Sequence, residues 1–294
     1  MKHSSIKNNT ILSILYHFND TLTATKSWNN SYICNMKITF HKYQGVGNDF
    51  IIIDNRDKIF PKENTQLIRN YCDRKFGIGA DGLMLLENST HCDFKMLYYN
   101  ADGNPGSMCG NGGRCIVAFA HFLGIFKNKT TFEAIGKIYY ATIDNNVVSL
   151  TMNDVDQIEK HKEHIFLNTG SPHHIIFEED LSQIDVYQKG KEIRYGSPYF
   201  EEGTNVNFVE QIDKNTFKVR TYERGVENET LSCGTGVTAV AIASHLLKKS
   251  KNRSMILQTL GGILEVSFDF ENDTYKNIVL KGPATFVFKG IIEL

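Results

Sequence analysis

The chain lacks a long apolar run and an excess of charge of either sign. No apolar run among its 294 residues approaches the roughly 18 residues that a membrane-spanning helix needs. The net charge is −1, from 32 basic and 33 acidic residues, and Lys and Arg form no block. Nucleic-acid-binding domains carry clustered basic charge. These absences predict a cytoplasmic protein that acts on a small molecule, with no nucleic-acid or membrane partner.

The six cysteines lack a C-x-x-C pair, and their spacing does not suggest a zinc site. Residues 1–35 lack arginine and lack an apolar stretch long enough for a signal peptide, and Arg56 is the first arginine. Without a secretory signal, a disulfide framework is not expected. We interpret residues 1–35 as a disordered or mis-started N-terminal extension, with Met36 as the working start.

The rest of the chain alternates strand-like apolar segments with three segments of helical spacing. The helices are predicted at 64–74, 111–123 and 235–248. The strands are predicted at 37–43, 50–54, 82–87, 94–100, 137–143, 147–152, 174–179, 205–211, 217–223, 263–270 and 277–282. With 41% apolar residues, the chain can bury a sizeable core.

Two segments resemble each other. CGNGGRCIVAFAHFL begins at Cys109 and CGTGVTAVAIASHLL begins at Cys233. Within one residue, the same spacing separates Gly47 in GNDFIII from Gly170 in GSPHHII. This repeat predicts an α+β fold of two pseudo-symmetric lobes, each a strand-rich unit around a central helix, with a cleft between them. We expect the first lobe at 36–152, with 281–294 returning to it, and the second lobe at 153–280.

Each repeat places a cysteine at the start of a helix. Unpaired N–H groups give a helix N-terminus a partial positive charge, which is expected to lower the pKa of a thiol and to bind a carboxylate. Glycines beside the cysteine leave those N–H groups open to a ligand. Two such thiols facing each other could invert a carbon centre, one removing a proton and the other delivering one. The chain shows no obvious pyridoxal-phosphate lysine motif, so we expect no cofactor.

Other interpretations of the two cysteines remain open at this point. Both could be buried structural residues, although burial does not explain the repeated glycines. Cys109 and Cys233 could instead form the disulfide of a redox protein. A phosphate-binding module is a weaker alternative, because neither loop has the G-x-x-x-x-G-K-[ST] form.

Several motifs together resemble the diaminopimelate epimerase family. They are KYQGVGNDFIIID, FGIGADGLMLL, YYNADGNPGSMCGNGGRC, TNVNF and TYERGVENETLSCGTGVTAVA, and the resemblance runs from about Met36 to the C-terminus. The related proline and hydroxyproline racemases share the second C-G-T-G, but their first motif reads M-C-G-H where this chain has Met108-Cys109-Gly110-Asn111. Another amino-acid racemase on the same scaffold is therefore the alternative enzyme, and the run Glu223-Arg224-Gly225 favours the epimerase.

The resemblance implies a pyridoxal-independent isomerase that interconverts LL- and meso-2,6-diaminoheptanedioate, on the route to lysine and peptidoglycan. It implies that Cys109 and Cys233 are the acid/base residues, that the enzyme is a homodimer and that no metal is used. The residues that it implies for substrate binding are Asn48, Asn100, Gly110, Asn111, Asn205, Glu223, Arg224, Gly234 and Thr235. It also implies that His173 and Glu223 set the pKa values of the cysteines.

Each implied role has a structural alternative. Asparagines form turns on their own account, a lone arginine is usually a solvated surface charge, and His173 could be a hydrogen-bonded core residue. The chain also departs from the family pattern at two positions. Ser171 stands where many members have Asn, and Gly82 stands where some have Gln.

Overall fold

The computed structural model describes Lys37–Leu294, so the predictions for residues 1–35 and for a start at Met36 lie outside the described residues. The first half contains β1 (Lys37–Gly45), β2 (Asn48–Asp54), α1 (Thr65–Cys72), β3 (Gly82–Glu87), β4 (Phe94–Asn100), α2 (Gly110–Phe122), β5 (Lys129–Ala134), β6 (Lys137–Asp144) and β7 (Val147–Thr151).

The second half contains β8 (Ile158–Lys160), β9 (Ile165–Asn168), β10 (Pro172–Glu178), a 3₁₀ turn (Leu181–Gln183), α3 (Val186–Tyr195), β11 (Asn205–Gln211), β12 (Thr216–Glu223), β13 (Asn228–Thr230), α4 (Gly234–Leu246), β14 (Ser254–Thr259), β15 (Gly262–Glu271), β16 (Thr274–Pro283) and β17 (Thr285–Glu293).

Strand pairing repeats from one half to the other. In the first half, β1–β2 is antiparallel, β2–β3 parallel, β3–β4 antiparallel and β4–β5 parallel, and β5–β6 and β6–β7 are antiparallel. The second half has the same order of parallel and antiparallel pairings, along the series β9, β10, β11, β12, β14, β15 and β16. Helices α1 and α3 occupy equivalent places in the two series, as do α2 and α4. The predicted α+β fold with two pseudo-symmetric lobes is confirmed.

Three further pairings lie outside the two series. Strand β7 pairs with β16, which links the end of one series to the end of the other. The first strand of each series also gains a partner from outside that series. Strand β17, which follows the second lobe, pairs with β1, whereas β8, which follows the first lobe, pairs with β9. Each lobe is therefore completed by chain that leaves the other lobe.

Helices α2 and α4 form the centres of the lobes. Helix α4 is buried from Gly234 to Ser244, in keeping with a sequence that is apolar on all sides. Helix α2 is buried from Gly110 to Ala120 and contacts strands at both ends of its series, including β1, β2, β6 and β7. One hydrophobic cluster contains residues of both helices, so the two lobes share a continuous core.

The three predicted helices are confirmed, and Asn64 caps α1 by accepting a hydrogen bond from the Leu67 N–H. The predicted strands are also present, with boundaries that shift by up to three residues. Sequence analysis missed α3, β5, β8, β9, β13, β14 and β17. No helix in the described part of the chain is long and apolar enough to cross a membrane.

Truncation of a side chain in the buried helix tests this account of the core. Ile242 on α4 is 0% exposed, so Ile242→Ala should lower the free energy of unfolding by about 2–5 kcal/mol in a urea titration. Ile138 on β6 is 51% exposed and provides the matched control, because Ile138→Ala should cost less than about 1 kcal/mol. Equal losses for the two variants would contradict the assignment of α4 to the core.

Candidate active site

The first turns of α2 and α4 lie against each other. Cys109 and Cys233 are the N-cap residues of the two helices, and both have extended backbones. A Cβ atom on Gly234 would lie 3.1 Å from the Gly110 Cα and 3.1 Å from the Asn111 backbone nitrogen. A side chain there would crowd the backbone of the other helix, and glycine avoids this. The repeated glycines therefore allow two helix N-termini, with their unpaired N–H groups, to meet at one place.

This meeting point forms part of the wall of a cavity of about 740 Å³. Residues from both halves of the chain line the cavity, so it is the cleft expected between the lobes. Of the residues singled out by sequence analysis, it brings together Asn48, Asn100, Cys109, Gly110, Asn111, Asn205, Glu223, Arg224, Cys233, Gly234 and Thr235. His173 is not in the lining and lies behind Thr235.

Two asparagine side chains surround the Cys109 thiol. The Asn48 Oδ1 lies 3.5 Å from the Cys109 Sγ and 3.4 Å from the Asn111 Nδ2. The Asn111 Nδ2 also lies 3.1 Å from the Ser232 carbonyl oxygen, to which it donates. Asn111 therefore ties the start of α2 to the residue before Cys233. Neither side chain makes the local turn contact that was the structural alternative for asparagine.

A buried guanidinium lies behind this cluster. Arg114 is 0% exposed, and its Nη2 donates to the Asn111 Oδ1 at 2.9 Å. Its other hydrogen bonds go to the carbonyl oxygens of Gly110 and Pro283. Within residues 37–294 no carboxylate forms an ion pair with it. Its positive charge therefore acts on the neighbouring groups, including the Cys109 thiol.

A chain of hydrogen bonds reaches Cys233 from the core. The Asn207 Nδ2 lies 3.1 Å from the His173 Nδ1, the His173 Nε2 lies 3.0 Å from the Thr235 Oγ1, and the Thr235 Oγ1 lies 3.4 Å from the Cys233 Sγ. Because the amide nitrogen of Asn207 donates to Nδ1, we assign the imidazole proton to Nε2, which donates to the hydroxyl.

His173 is neutral in this chain. Burial, with the positive charge of Arg224, lowers the pKa of His173 to about 3. A neutral imidazole contributes no charge to the site. It fixes the position of the Thr235 hydroxyl, whose own hydrogen is then free to donate to the Cys233 sulfur.

The helix starts act on the thiols in the expected direction, because the Gly112 N–H lowers the pKa of Cys109 and the Gly236 N–H lowers that of Cys233, but burial has the larger effect. Burial raises the pKa of Cys109 to about 11, against the opposing effects of the Gly112 N–H and the Arg114 charge. Burial also raises the pKa of Cys233, and the Glu223 carboxylate adds to that rise. Loss of hydration outweighs the helix N-terminus at both sites. A thiolate at either position needs further positive charge beside it.

Glu223 and Arg224 lie in the cavity wall without pairing to each other. The Glu223 carboxylate accepts a hydrogen bond from the Thr230 hydroxyl at 2.9 Å, and burial raises the pKa of Glu223 to about 7. The Arg224 Nη1 donates to the Glu202 carbonyl at 2.9 Å, and the Asn205 Oδ1 accepts from the Arg224 backbone N–H at 3.0 Å.

Asn100 and the two positions that depart from the family pattern have different surroundings. Asn100 lines the cavity, and its side chain donates no hydrogen bond to the described part of the chain. Ser171 also lines the cavity, so it can still contact a ligand. Gly82 is not in the lining, and the ring of Tyr98 covers it.

Sequence analysis missed four residues of the site. Asp81 accepts a hydrogen bond from the Asn48 Nδ2 at 2.6 Å and forms an ion pair with Arg74 at 2.7 Å. Asp81, Arg74 and Tyr98 all line the cavity. Asn207, the fourth, orients His173. Asp81 stands in the quoted motif FGIGADGLMLL, which was a usable signal. Tyr98 and Asn207 also stand in quoted motifs, YYNADGNPGSMCGNGGRC and TNVNF, whereas Arg74 lies outside the quoted motifs and carried no signal of its own.

Comparison with solved structures shows the class of fold. The structure matches a Bacillus anthracis phenazine biosynthesis protein of the PhzF family, with a TM-score of 0.70 and 14% identity, over 88% of this chain and 100% of the other. It also matches an Agrobacterium vitis hydroxyproline epimerase, with a TM-score of 0.64 and 13% identity, over 88% of this chain and 93% of the other. At these identities the likeness establishes a shared two-lobe fold.

Sequence comparison then gives the family. The family model for diaminopimelate epimerase matches residues 40–155 and 165–287. The diaminopimelate epimerase of Flavobacterium psychrophilum is 57% identical over 86% of this chain and 99% of its own length. That of Chlorobaculum tepidum is 45% identical over 85% of this chain and 99% of its own. The chain belongs to the diaminopimelate epimerase family and is an isomerase.

The raised pKa of Glu223 predicts a cost in stability that depends on pH. The unfolded carboxyl releases its proton near its ordinary pKa of 4.5, whereas the folded one holds it to about 7. Glu223 therefore stabilises the folded state below pH 4.5. This contribution to the free energy of unfolding, up to about 3 kcal/mol, is lost as the pH rises to 7. Glu223→Gln removes this loss and keeps an acceptor for Thr230. The variant should gain stability relative to wild type between pH 5 and pH 8 in urea titrations.

The exposed Glu201 provides the control, because Glu201→Gln should show no comparable trend with pH. An advantage of Glu223→Gln that stayed constant across this pH range would contradict a raised pKa at Glu223.

Proposed function

We propose that this protein interconverts LL- and meso-2,6-diaminoheptanedioate by a two-cysteine acid/base mechanism that uses neither pyridoxal phosphate nor a metal. Family membership supports the substrate. The observation that carries the mechanism is the contact between two helix N-termini, each capped by a cysteine, in the wall of one cavity. The reaction belongs to the biosynthesis of lysine and of peptidoglycan precursors.

The chemistry follows from the positions of the two sulfur atoms. One cysteine, as thiolate, takes the α-proton from one face of the substrate, and the opposite cysteine, as thiol, donates a proton to the other face. The two residues exchange roles in the reverse reaction. Because the carbanion's charge spreads into the adjacent carboxylate, the N–H groups at both helix starts stabilise it. Gly110, Asn111, Gly234 and Thr235 bind that carboxylate.

The buried thiols need a source of positive charge. The substrate's α-ammonium group provides it, since it enters the cavity together with the carboxylate and favours a thiolate nearby. Arg114 adds to this effect at Cys109 alone, whereas the Gly112 N–H at Cys109 and the Gly236 N–H at Cys233 act alike. Cys109 therefore carries the thiolate more readily than Cys233. Glu223 opposes the thiolate at both positions, and through Thr235 the neutral His173 orients a hydrogen-bond donor to Cys233.

The remaining polar residues of the cavity bind the rest of the substrate. Arg224 pairs with a carboxylate and Glu223 with an ammonium group, so the distal amino-acid group finds complementary charges. Asn48, Asn100 and Asn205 add amide donors and acceptors. Thiol catalysis requires reduced cysteines, which fits a cytoplasmic location.

We also propose the lobe boundaries 36–152 with 281–294, and 153–280, because β17 rejoins β1. A homodimer built through β17 is the assembly that we infer. Strand β17 pairs only with β1 within residues 37–294, so one of its edges has no partner strand. Val287 and Ile291 on this strand are 51% and 64% exposed. An open edge with apolar side chains is typical of a surface that a second copy covers.

Single serine substitutions test the acid/base roles. A hydroxyl is too weak an acid to replace either thiol, so Cys109→Ser and Cys233→Ser should each lower the rate of epimerisation at least 100-fold. General acid–base catalysis typically raises a rate by about 10²–10⁴-fold, and the expected loss is the lower end of that range. The measurement is chiral chromatography of LL- and meso-diaminopimelate, run in both directions. Cys92→Ser is the matched control, because Cys92 is a half-buried cysteine outside the cavity.

A serine variant that interconverts both isomers at nearly the wild-type rate would contradict the two-cysteine mechanism. The wild-type protein should also be offered proline and hydroxyproline. Turnover of these in place of diaminopimelate would replace the substrate assignment and leave the mechanism standing.

A charge on the exposed face of β17 tests the dimer. Ile291→Asp would bury an unpaired carboxylate in the proposed interface, so this variant should sediment as a monomer in analytical ultracentrifugation while the wild type sediments as a dimer. Ile138→Asp places the same charge at another exposed site and should not change the mass. A wild-type monomer, or a dimer that persists in Ile291→Asp, would refute an interface at β17.

A further inference from the structure

One aromatic residue of the cavity wall has no part in the mechanism so far. Tyr98 lies on β4, and its ring meets Phe50 edge to face, with the ring centroids 6.0 Å apart. It lies on the same face of the strand as Asn100, two residues further on, and both line the cavity. Its position is therefore among the residues that bind the substrate.

Two glycines pack against this ring. A Cβ atom on Gly82 would lie 2.5 Å from the Tyr98 Cε2 and 2.9 Å from its hydroxyl oxygen. A Cβ atom on Gly106 would lie 2.5 Å from the Cδ1 and the Cε1 of the same ring. No side chain fits at Gly106 while Tyr98 stays where it is, and at Gly82 the Tyr99 carbonyl oxygen, also 2.5 Å from the added Cβ, excludes one together with the ring. This gives a physical reason for Gly82, where the chain departs from the family pattern.

The Tyr98 hydroxyl has no hydrogen-bond partner within the described part of the chain, although the ring is largely enclosed. Tyr98 is half-buried and its hydroxyl is open to the cavity, so a polar group of a bound substrate can become its partner in place of water. Burial raises the pKa of Tyr98, and the neighbouring acids Cys109, Glu223 and Asp81 add to that rise. The hydroxyl is therefore neutral and stands among carboxylates, which attract a cation.

We propose that Tyr98 is a further substrate-binding residue, whose hydroxyl oxygen accepts a hydrogen bond from an ammonium group of the substrate, and that Gly82 and Gly106 hold its ring in place. The proposal rests on the proposed function, which supplies a substrate with ammonium groups. In this proposal the Tyr98 hydroxyl contacts the substrate's ammonium group in the ground state and in the transition state alike. Loss of that contact should therefore weaken binding more than it slows the chemical step.

Tyr98→Phe tests the hydroxyl, because it keeps the ring between the two glycines. We expect the KM for LL-diaminopimelate to rise about tenfold, the usual effect of losing one hydrogen bond to a charged group, with kcat changed less than about twofold and Tm unchanged. Tyr99→Phe is the matched control. Tyr99 is the next residue on β4, and it packs on the opposite face in a separate hydrophobic cluster.

Unchanged kinetics in Tyr98→Phe would overturn the proposal and leave Tyr98 as a packing residue. A fall in kcat at constant KM would also overturn it, since the hydroxyl would then act on the chemical step. The wild-type protein is assayed in parallel. Its failure to epimerise diaminopimelate would reject the proposed function and not the role of Tyr98 alone.

A double-mutant cycle tests whether Gly106 positions the ring of Tyr98. Gly106→Ala adds a methyl group that meets only the side chains of Tyr98 and Asn100 among its nearest neighbours, so the ring must shift. We expect the KM to rise at least tenfold, and we expect little further rise when Tyr98→Phe is added. Fold-changes that multiply in the double variant would show that Gly106 does not act through the hydroxyl.

Discussion

The contact between the first turns of α2 and α4 is the constraint on which the rest of the structure depends. Gly110 and Gly234 favour it because they present no side chain at the point where the helices meet. It directs the N–H groups of two helices to one cavity and places a cysteine on each side. Any shift of one lobe against the other would separate the two thiols, so the fold must hold the lobes in register.

Strand exchange between the lobes provides that rigidity. Pairing of β7 with β16 joins the two series, and β17, which follows the second series, returns to pair with β1. The shared hydrophobic cluster adds apolar burial from both central helices. The site therefore rests on buried, regular elements, while Ser171, one of the two residues that differ from the family pattern, lies in a loop between β9 and β10.

The sequence was most informative where a local pattern has one physical meaning. The Cys-Gly-x-Gly starts at Cys109 and Cys233 predicted both central helices, because few other patterns place glycines beside a helix cap. Helix α3 was missed because Gly190 interrupts its spacing, and that glycine makes sense only through its contact with Tyr222 on another element. Asn207 and Tyr98 stand in quoted motifs but were not singled out, because only the fold shows what their side chains contact. The direction of the thiol pKa shifts depends on burial, which no local pattern reveals.

The central claim is that two cysteines act on opposite faces of one carbon. Proton NMR of LL-diaminopimelate with the wild-type protein in D₂O, with no cofactor added, tests it most directly when the early product and the recovered substrate are compared. The account predicts meso product that carries deuterium at the inverted carbon, while recovered LL isomer keeps its α-proton, because the removing base and the donating acid are different groups. Exchange into recovered LL isomer that outpaces formation of the meso isomer would contradict it.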